Sequence, residues 1–460
     1  MQTIKQMKQF MEPQSVALIG VSRDTGEGTF NILEHLLSYG YQGAIYPINP
    51  GASEILGIKT YPSVTEVREE IDLAVIATPR SLVPRLVKEC SDSGVESVIV
   101  VAQGFADASD NEGRQLHKEI TDIVQSSKTR VLGPNTFGTA NAFIDFSSSF
   151  LKIRMKKQPI GMICQTGVFF VGFPEATLIG KGIDLGNACD IGFADGLEYF
   201  ENDSETNVVV LHIEGTQDTK RFLHAARRIT PRKPILALKT GRTEQAAKAA
   251  QSHTGSLIGR NEVWQAALKQ CGVTQASDLE DLIDLARAFS VLPLMQRPEV
   301  GIATISGALG IVAIDGCQQF CLEMGELSPD TKKLLDAMSP SWLSISNPVD
   351  IWPVMMVSQS VMKPMIDGLE ALLSDDQSGA VLFIGAAFDE EWASSLCQIL
   401  TELATAHEDK ALACCIYGPY GDETIKELQD SGRVAGFPTP ERAIKVLARL
   451  NEYSQLRRIL

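Results

Sequence analysis

His253 lies in the segment QSHTGSLIG, residues 251–259, where its nearest neighbours in the chain are Gln, Ser, Thr and Gly. An imidazole on an apolar helix face is commonly a core residue, but these neighbours offer it nothing bulky to pack against. A histidine in such surroundings suits a nucleophile that must be bare and reachable. Thr254 and the backbone amides near Gly255 can contact a phosphate group. We therefore predict His253 as a catalytic nucleophile, with a surface histidine in a loop as the alternative.

Two other segments carry groups that could serve this histidine. Glu214 ends the apolar run VVVLHIEG and can accept the Nδ1 proton of an imidazole, which leaves Nε2 free as a nucleophile. A helix-capping or solvent-exposed glutamate is the alternative. Gln165, Thr166 and Gly167 follow another apolar run at a predicted helix start, where amide groups can hold a phosphoryl group.

The first strand-to-helix turn, GVSRDTGEG at residues 20–28, predicts an anion-binding loop. Gly20 and Gly28 allow a ligand to approach the backbone, and Ser22, Arg23 and Thr25 add donors for phosphate. The spacing is not that of the dinucleotide fingerprint, and no acidic residue ends the second strand, so NAD(P) is disfavoured. A phosphorylated, nucleotide-like ligand is favoured over a turn that serves only helix packing.

Polar or turn-forming residues also follow the other predicted strands of the first third of the chain. The carboxyl ends of parallel strands line one crevice, where ligands bind in open sheets. The predicted ligand-binding residues at these strand ends are Asn49, Pro50, Thr78, Pro79, Gly104 and Asn135.

The elements that must position these residues are short apolar runs alternating with amphipathic segments, which predicts βαβ units and parallel sheets. The 460 residues are long enough for about three domains. The predicted boundaries are 1–143, 144–294 and 295–460. The second and third sets open alike, with a strand, a glycine turn and a helix, which suggests an internal duplication.

Composition narrows the function classes. A formal charge of −16 argues against nucleic-acid and anionic-membrane binding. The nine cysteines and six histidines show no zinc, disulfide or metal-ligand spacing, so no metal site is predicted. The N-terminus lacks the apolar core of a signal peptide, and we expect a cytoplasmic protein.

Taken in order, these motifs resemble the ADP-forming acyl-CoA synthetases, relatives of succinyl-CoA synthetase. The resemblance covers nearly the whole chain and is carried by SVALIGVSRD, GPNTFG, CQTGV, DLGNACD, IEG, LKTGR, SHTGSLIG and NPVD. It implies a Rossmann-like CoA-binding domain followed by two flavodoxin-like α/β domains. It also implies that the ligand of the first domain is CoA.

The resemblance further implies a reversible three-step reaction. Phosphate converts an acyl-CoA thioester to an acyl phosphate, His253 takes the phosphoryl group, and phosphohistidine passes it to ADP. By position, Glu214 matches the acidic residue that orients the histidine, and Gln165, Thr166 and Gly167 match the helix start that holds the phosphoryl group.

The family pattern also raises expectations about what lies beyond this chain. No ATP-grasp domain follows the third domain, so we expect a separate ATP-grasp β subunit that binds ATP or ADP and Mg²⁺, in a heterotetramer. Cys164 stands where the family usually has serine. Cys164, Phe169 and Phe170 are the predicted acyl pocket, and the small carboxylic acid is left open.

Three other functions compete with this one. A non-catalytic, CoA-sensing regulatory module shares these domains, but such regulators often lose the histidine. An NAD-dependent oxidoreductase lacks its fingerprint here. Acyl transfer between a CoA ester and an acid, without nucleotide, would need no histidine cycle.

Overall fold

The computed structural model describes residues 2–26, 28–172, 179–246 and 260–459. The chain forms two compact units, Met1–Ala276 and Ser277–Leu460. None of the described helices is long and apolar enough to cross a membrane.

The strands are short and the helices lie between them. In chain order the strands are β1 (Ser15–Ile19), β2 (Ala44–Ile48), β3 (Glu54–Ile55), β4 (Ile58–Lys59), β5 (Leu73–Ile76), β6 (Ser97–Val100), β7 (Arg130–Leu132), β8 (Thr139–Asn141), β9 (Phe146–Ser147), β10 (Ile160–Cys164), β11 (Lys181–Asp184), β12 (Val208–Ile213), β13 (Ile235–Lys239), β14 (Thr274–Gln275), β15 (Glu299–Thr304), β16 (Glu323–Met324), β17 (Val349–Asp350), β18 (Ala380–Ala386), β19 (Ala411–Tyr417) and β20 (Ala435–Gly436). The helices are Gln2–Met11, Ile32–Tyr39, Val83–Asp92, Asn111–Ser126, Gly167–Gly172, Phe193–Asn202, Thr219–Ile229, Asn261–Gln270, Leu279–Val291, Gly307–Gln319, Pro329–Met338, Trp352–Val357, Met362–Leu373, Glu390–Ala406, Gly421–Asp430 and Pro440–Ile459.

The first sheet is parallel, with the strand order β2-β1-β5-β6-β7. Its central strands are buried along their whole length, as expected for parallel strands with helices on both faces. The helix Ile32–Tyr39 begins where the Asn31 side chain accepts from the Glu34 amide and ends at Gly40, which has a left-handed backbone. The strand order reverses between β1 and β5, and this point predicts a ligand crevice.

The second sheet has the order β14-β13-β12-β10-β11-β8-β9. The strands β10 to β14 are parallel and follow the flavodoxin-like order 2-1-3-4-5, while β8 and β9 pair antiparallel at the edge. Both sheets belong to the unit Met1–Ala276. The predicted boundary at residue 143 therefore falls between two strands of one sheet.

The third sheet, in the unit Ser277–Leu460, has the order β16-β15-β18-β19-β20, with β17 beside the end of β15. This is again 2-1-3-4-5. The Asn347 side chain of the NPVD motif accepts from the Ile302 amide and donates to the Val300 and Gly325 carbonyls, so it joins β15 to the segment that follows β16.

The α/β class and the parallel sheets predicted from the sequence are confirmed. The helix Leu279–Val291, which the sequence analysis assigned to the second domain, groups with the unit Ser277–Leu460, where Asp284 pairs with Arg442. In the sequence, the polar Ser277-Asp278 turn before this helix is a weaker signal of a domain boundary than the proline-containing segment around Pro298 after it. The three-domain division itself stays a prediction.

Candidate functional site

A cavity of about 580 Å³ opens at the reversal of strand order in the first sheet. Its walls are largely apolar, with a few neutral polar groups, which is typical of sites that bury an organic ligand. The lining residues are Leu18, Ile19, Gly20, Val21, Ser22, Phe30, Ile32, Val75, Ala77, Thr78, Val101, Ala102, Gln103, Asn135, Thr136, Phe137 and Phe150.

Gly20 allows the turn after β1 to pack against the end of β5. Its φ is +83°, and a Cβ there would lie 2.5 Å from Thr78 Cγ2 and 2.7 Å from the Ala77 carbonyl oxygen. The hydroxyl of Thr78 is buried and has no hydrogen-bond partner within the described part of the chain. A polar ligand atom in the cavity could satisfy it.

Four of the predicted ligand residues line this cavity, namely Gly20, Ser22, Thr78 and Asn135. The others lie outside its lining: Arg23, Thr25, Gly28, Asn49, Pro50, Pro79 and Gly104.

Asn49 and Gly104 have structural contacts. The side-chain Nδ2 of Asn49 donates to the Val21 carbonyl at 3.0 Å, and its side-chain Oδ1 accepts from the Gly51 backbone amide at 2.8 Å. The Gly104 amide donates to Asp107 at 3.0 Å. Burial raises the pKa of Asp107, but hydrogen bonds from backbone amides and from Asn187 outweigh it and bring the pKa below its usual range. Both residues therefore fix loops beside the cavity.

Three aromatic side chains that the sequence analysis missed form one wall of the cavity. The rings of Phe137 and Phe150 stack with centroids 4.6 Å apart, and Phe30 meets Phe150 edge-on at 5.7 Å. Phe137 also touches the second motif, because a Cβ on Gly167 would lie 1.8 Å from its ring. The Phe137 ring therefore lies between the cavity and the segment that follows β10.

Gln165 joins the ends of β10 and β12. Its buried side-chain oxygen accepts from the amides of Glu214 and Gly215, at 2.8 and 3.0 Å. From the other side, the Lys239 ammonium donates to the Glu214 carbonyl oxygen at 2.9 Å. The backbone of Glu214 is thus held from two neighbouring strands, and the half-buried residue directly follows the end of β12.

Lys239 is buried and also donates to the Thr240 carbonyl oxygen. Burial lowers its pKa to about 8, against the attraction of Glu214. A buried ammonium at a strand end is not a solvated surface cation. Its contacts place it as a support for the Glu214 segment.

His212 precedes Glu214 by two residues but is a poor nucleophile. It is 2% exposed, its Nε2 lies 3.2 Å from the Thr240 hydroxyl, and its ring stacks on Phe169 with centroids 4.2 Å apart. Burial, and secondly the charge of Lys239, lower its pKa to about 4. This imidazole is therefore neutral and enclosed.

Asp184, in the DLGNACD motif, connects the two candidate centres, namely the cavity and the Gln165–Glu214 region at the ends of β10 and β12. Its carboxylate accepts from the Phe137 amide at 2.8 Å and from the Gly186 amide at 3.3 Å, and lies 3.9 Å from the Cys164 sulfur. Burial raises its pKa to about 6, and the charge of Glu214 adds to this rise. Asp184 thus shares the electrostatic environment of Glu214.

The raised pKa of Asp184 gives a prediction for stability. A protonated native carboxyl contributes stability that is fully present below the unfolded pKa of about 3.9 and is lost as the pH rises through about 6. The loss is roughly 3 kcal/mol. We expect the free energy of unfolding of the wild type to fall relative to that of Asp184→Asn between about pH 4 and 6. Urea titrations of both proteins measure this, and parallel pH profiles would contradict it.

Two of the residues predicted for the acyl pocket, Cys164 and Phe169, lie outside the lining of this cavity. Cys164 is fully buried, its sulfur contacts the Ile183 carbonyl, and burial raises the pKa of its thiol. The Phe169 ring packs on His212. Neither lines the cavity, because the end of β10 is buried and the Phe169 ring lies on the β12 side. The side chain of Phe170 lies outside the described residues, as do His253, Thr254 and Gly255.

A second, smaller pocket of about 150 Å³ lies beside Gln165 and Gly215. The helices Phe193–Asn202 and Thr219–Ile229 begin at its rim. Arg221 lines it but is already paired with Asp195 and Glu198, at 3.0 and 2.9 Å. Of the predicted phosphate-binding residues, Gln165 borders this pocket. Thr166, the next residue in the chain, is half-buried.

Comparison with known proteins places these centres in a family context. Residues 14–142 match a CoA binding domain, and residues 157–289 match a succinyl-CoA ligase like flavodoxin domain. The chain is 34% identical to the acetate–CoA ligase (ADP-forming) I subunit alpha of Pyrococcus furiosus, with 98% of each chain covered. It is 34% identical to the acetate–CoA ligase (ADP-forming) of Methanocaldococcus jannaschii, and spans 64% of that protein.

A solved structure is similar over the same length. It is the dinucleotide forming acetyl-coenzyme A synthetase 1 of Candidatus Korarchaeum cryptofilum, in complex with phosphate and ADP. The TM-score is 0.88 at 28% identity, covering 99% of this chain and 98% of that one. The ligase interpretation is thereby favoured over the CoA-sensing regulatory module. The chain belongs to the family of ADP-forming acyl-CoA synthetases.

Proposed function

We propose that this chain is the CoA-binding, phosphohistidine-bearing subunit of an enzyme that interconverts acid, CoA and ATP with acyl-CoA, ADP and phosphate. The observation that carries the proposal is the wall shared by the two centres. Phe137 lines the cavity, contacts Gly167 and is held by Asp184 through its amide. A thioester against this wall would therefore have the Phe137 ring between it and Gly167.

The cavity fits CoA in its chemistry. The Gly20 turn leaves room for a ligand where a side chain would clash, and the Thr78 hydroxyl is a buried polar atom that needs a partner. Ser22 and Asn135 add polar contacts to otherwise apolar walls, as a pantetheine chain with its amides requires. Gly20, Ser22, Thr78 and Asn135 are the residues we propose to contact it.

The proposed reaction has three steps. A phosphate oxygen attacks the thioester carbonyl carbon, the C–S bond breaks, and CoA leaves as a thiolate that takes up a proton. The Nε2 atom of His253 then attacks phosphorus, and the bond from phosphorus to the acyl oxygen breaks, which releases the carboxylate. The phosphoryl group finally passes from His253 to ADP.

Glu214 is the proposed orienting group for His253. A carboxylate that accepts the Nδ1 proton fixes the tautomer with Nε2 free and stabilises the positive charge that develops on the ring. Gln165 and Lys239 hold the backbone of Glu214 and so keep its carboxylate in place. Gln165, Thr166 and Gly167, with Thr254 and Gly255, are proposed to hold the phosphoryl group.

The proposal includes a partner. The Pyrococcus furiosus relative is named a subunit alpha, whereas the Methanocaldococcus jannaschii relative is a longer single chain. We propose that an ATP-grasp β subunit binds ATP or ADP and Mg²⁺ and that the two form a heterotetramer. The histidine would carry the phosphoryl group between the two active sites.

The test is phosphorylation of the chain itself. The protein is incubated with labelled ATP and Mg²⁺, with and without an ATP-grasp β subunit, and acid-labile, alkali-stable label is measured. We expect label that requires the β subunit and disappears in His253→Ala. CoA binding without label under any condition would instead support the regulatory module.

Glu214→Gln gives a graded version of this test. The amide keeps the shape of the side chain but loses the charge that stabilises the imidazolium, and it favours the wrong ring tautomer. We expect the rate of phosphohistidine formation to fall by about 10²- to 10⁴-fold. Rapid-quench labelling measures the rate, and CoA affinity serves as the control. An unchanged labelling rate would remove Glu214 from the mechanism.

A further inference from the structure

We infer that the Phe30–Phe137–Phe150 wall is the acyl-binding surface and that the acid used by this chain carries a ring-sized, uncharged apolar side chain. The inference rests on the proposed function and identifies the substrate class of the same site.

The position of the wall assigns it to the acyl group. Phe137 lines the cavity and also touches Gly167, so its ring lies between the cavity and the proposed phosphoryl-binding segment. The thioester carbon must lie between the CoA sulfur and the attacking phosphate. A group attached to that carbon therefore faces the Phe137 ring rather than the Gly20 turn.

The wall is rigid where it matters. The Gly167 backbone lies directly behind the Phe137 ring, and the Phe137 amide is fixed by Asp184 at 2.8 Å. On the cavity side Phe150 stacks on Phe137, and Phe30 contacts Phe150 edge-on. Phe30 itself is 66% exposed. Such an exposed phenyl ring at a cavity rim gains most from an apolar ligand that covers it.

The charge of the lining restricts the acid further. Among the described residues that line the cavity, none is an Asp, Glu, Lys, Arg or His. A second carboxylate on the acid would be buried there without a cation to pair with, which is costly. Acetate, with a single methyl group, would leave the three rings uncovered. An aryl acid such as phenylacetate fits both constraints.

The experiment compares acids in the complete complex of this chain with an ATP-grasp β subunit. The kcat/KM values for phenylacetate, acetate and succinate are measured for the wild type, Phe137→Ala, Phe150→Leu and the matched control Phe169→Ala. Phe169 lies outside the cavity lining and packs on His212. We expect the wild type to prefer phenylacetate over acetate by at least about tenfold and to use succinate least.

The variants test the residues. Phe137→Ala and Phe150→Leu should lower the phenylacetate-to-acetate ratio by about 10- to 100-fold, while Phe169→Ala leaves this ratio unchanged. A wild type that prefers acetate or succinate overturns the inference whether or not the variants fold, as does a ratio that responds only to Phe169→Ala. The proposed function fails separately, if no acid gives acyl-CoA and His253 takes no label.

Discussion

His253→Ala should separate the two halves of the reaction. We expect the rate of ATP-dependent acyl-CoA synthesis to fall by at least about 10⁴-fold, as when other covalent nucleophiles are removed. The exchange of labelled CoA into acyl-CoA in the presence of phosphate should persist, because attack of phosphate on the thioester uses the cavity and the Gln165 segment, not the imidazole. Both rates are measured in the same complex with its β subunit.

The control for this prediction is the omission of phosphate. Exchange in His253→Ala that does not need phosphate would indicate direct acyl transfer between thioesters, which is the nucleotide-independent alternative. Retention of ATP-dependent synthesis in the variant would contradict the histidine cycle altogether. Loss of both reactions would place His253 in the thioester step as well.

The sequence located the backbone of the candidate site better than its side chains. Strand ends in a parallel sheet can be read from apolar runs, so Gly20, Ser22, Thr78 and Asn135 were found and do line the cavity. Asn49, another strand-end residue, points its side chain at the Val21 carbonyl instead. Strand position alone does not specify which way such a side chain turns.

The aromatic wall had no signal of this kind. Phe30, Phe137 and Phe150 come from three separate loops, and no spacing in the sequence relates them. Only Phe137 offered a local hint, as a large apolar side chain between Thr136 and Gly138 in a turn. Tertiary packing, not periodicity, brings the three rings together.

Supporting contacts were equally hidden. Gln165 was predicted to bind phosphate, but its side-chain oxygen is occupied by the amides of Glu214 and Gly215. Its contribution to phosphate binding would then come from its position and its backbone. The shared environment of Asp184 and Glu214 depends on β11, β10 and β12 being neighbours, which only the strand order of the folded sheet establishes.

Gly20→Ala should weaken CoA binding and leave phosphorylation of His253 intact, which is the reverse of the effect expected for His253→Ala. The added methyl group meets Thr78 Cγ2 and the Ala77 carbonyl at a left-handed backbone position. We expect unfolding to become easier by about 2 to 4 kcal/mol, from backbone strain and overpacking together. The dissociation constant for CoA should rise at least about tenfold, because the turn that carries Gly20, which lies between Ile48 and Thr78 in space, must shift.

Gly40→Ala is a matched control that separates the effect of the steric contact at Gly20 from that of the left-handed backbone. Gly40 has a φ of +84°, against +83° at Gly20, but a Cβ there meets nothing within 4 Å. Gly40→Ala should therefore cost only the left-handed penalty of about 1 to 2 kcal/mol and leave CoA affinity unchanged. Isothermal titration with CoA and urea unfolding measure the pair. Because Gly20 lies in the turn after β1, outside the proposed phosphoryl-binding segment, phosphorylation of His253 from ATP should persist in Gly20→Ala. Loss of this phosphorylation would contradict a phosphoryl centre that works without bound CoA.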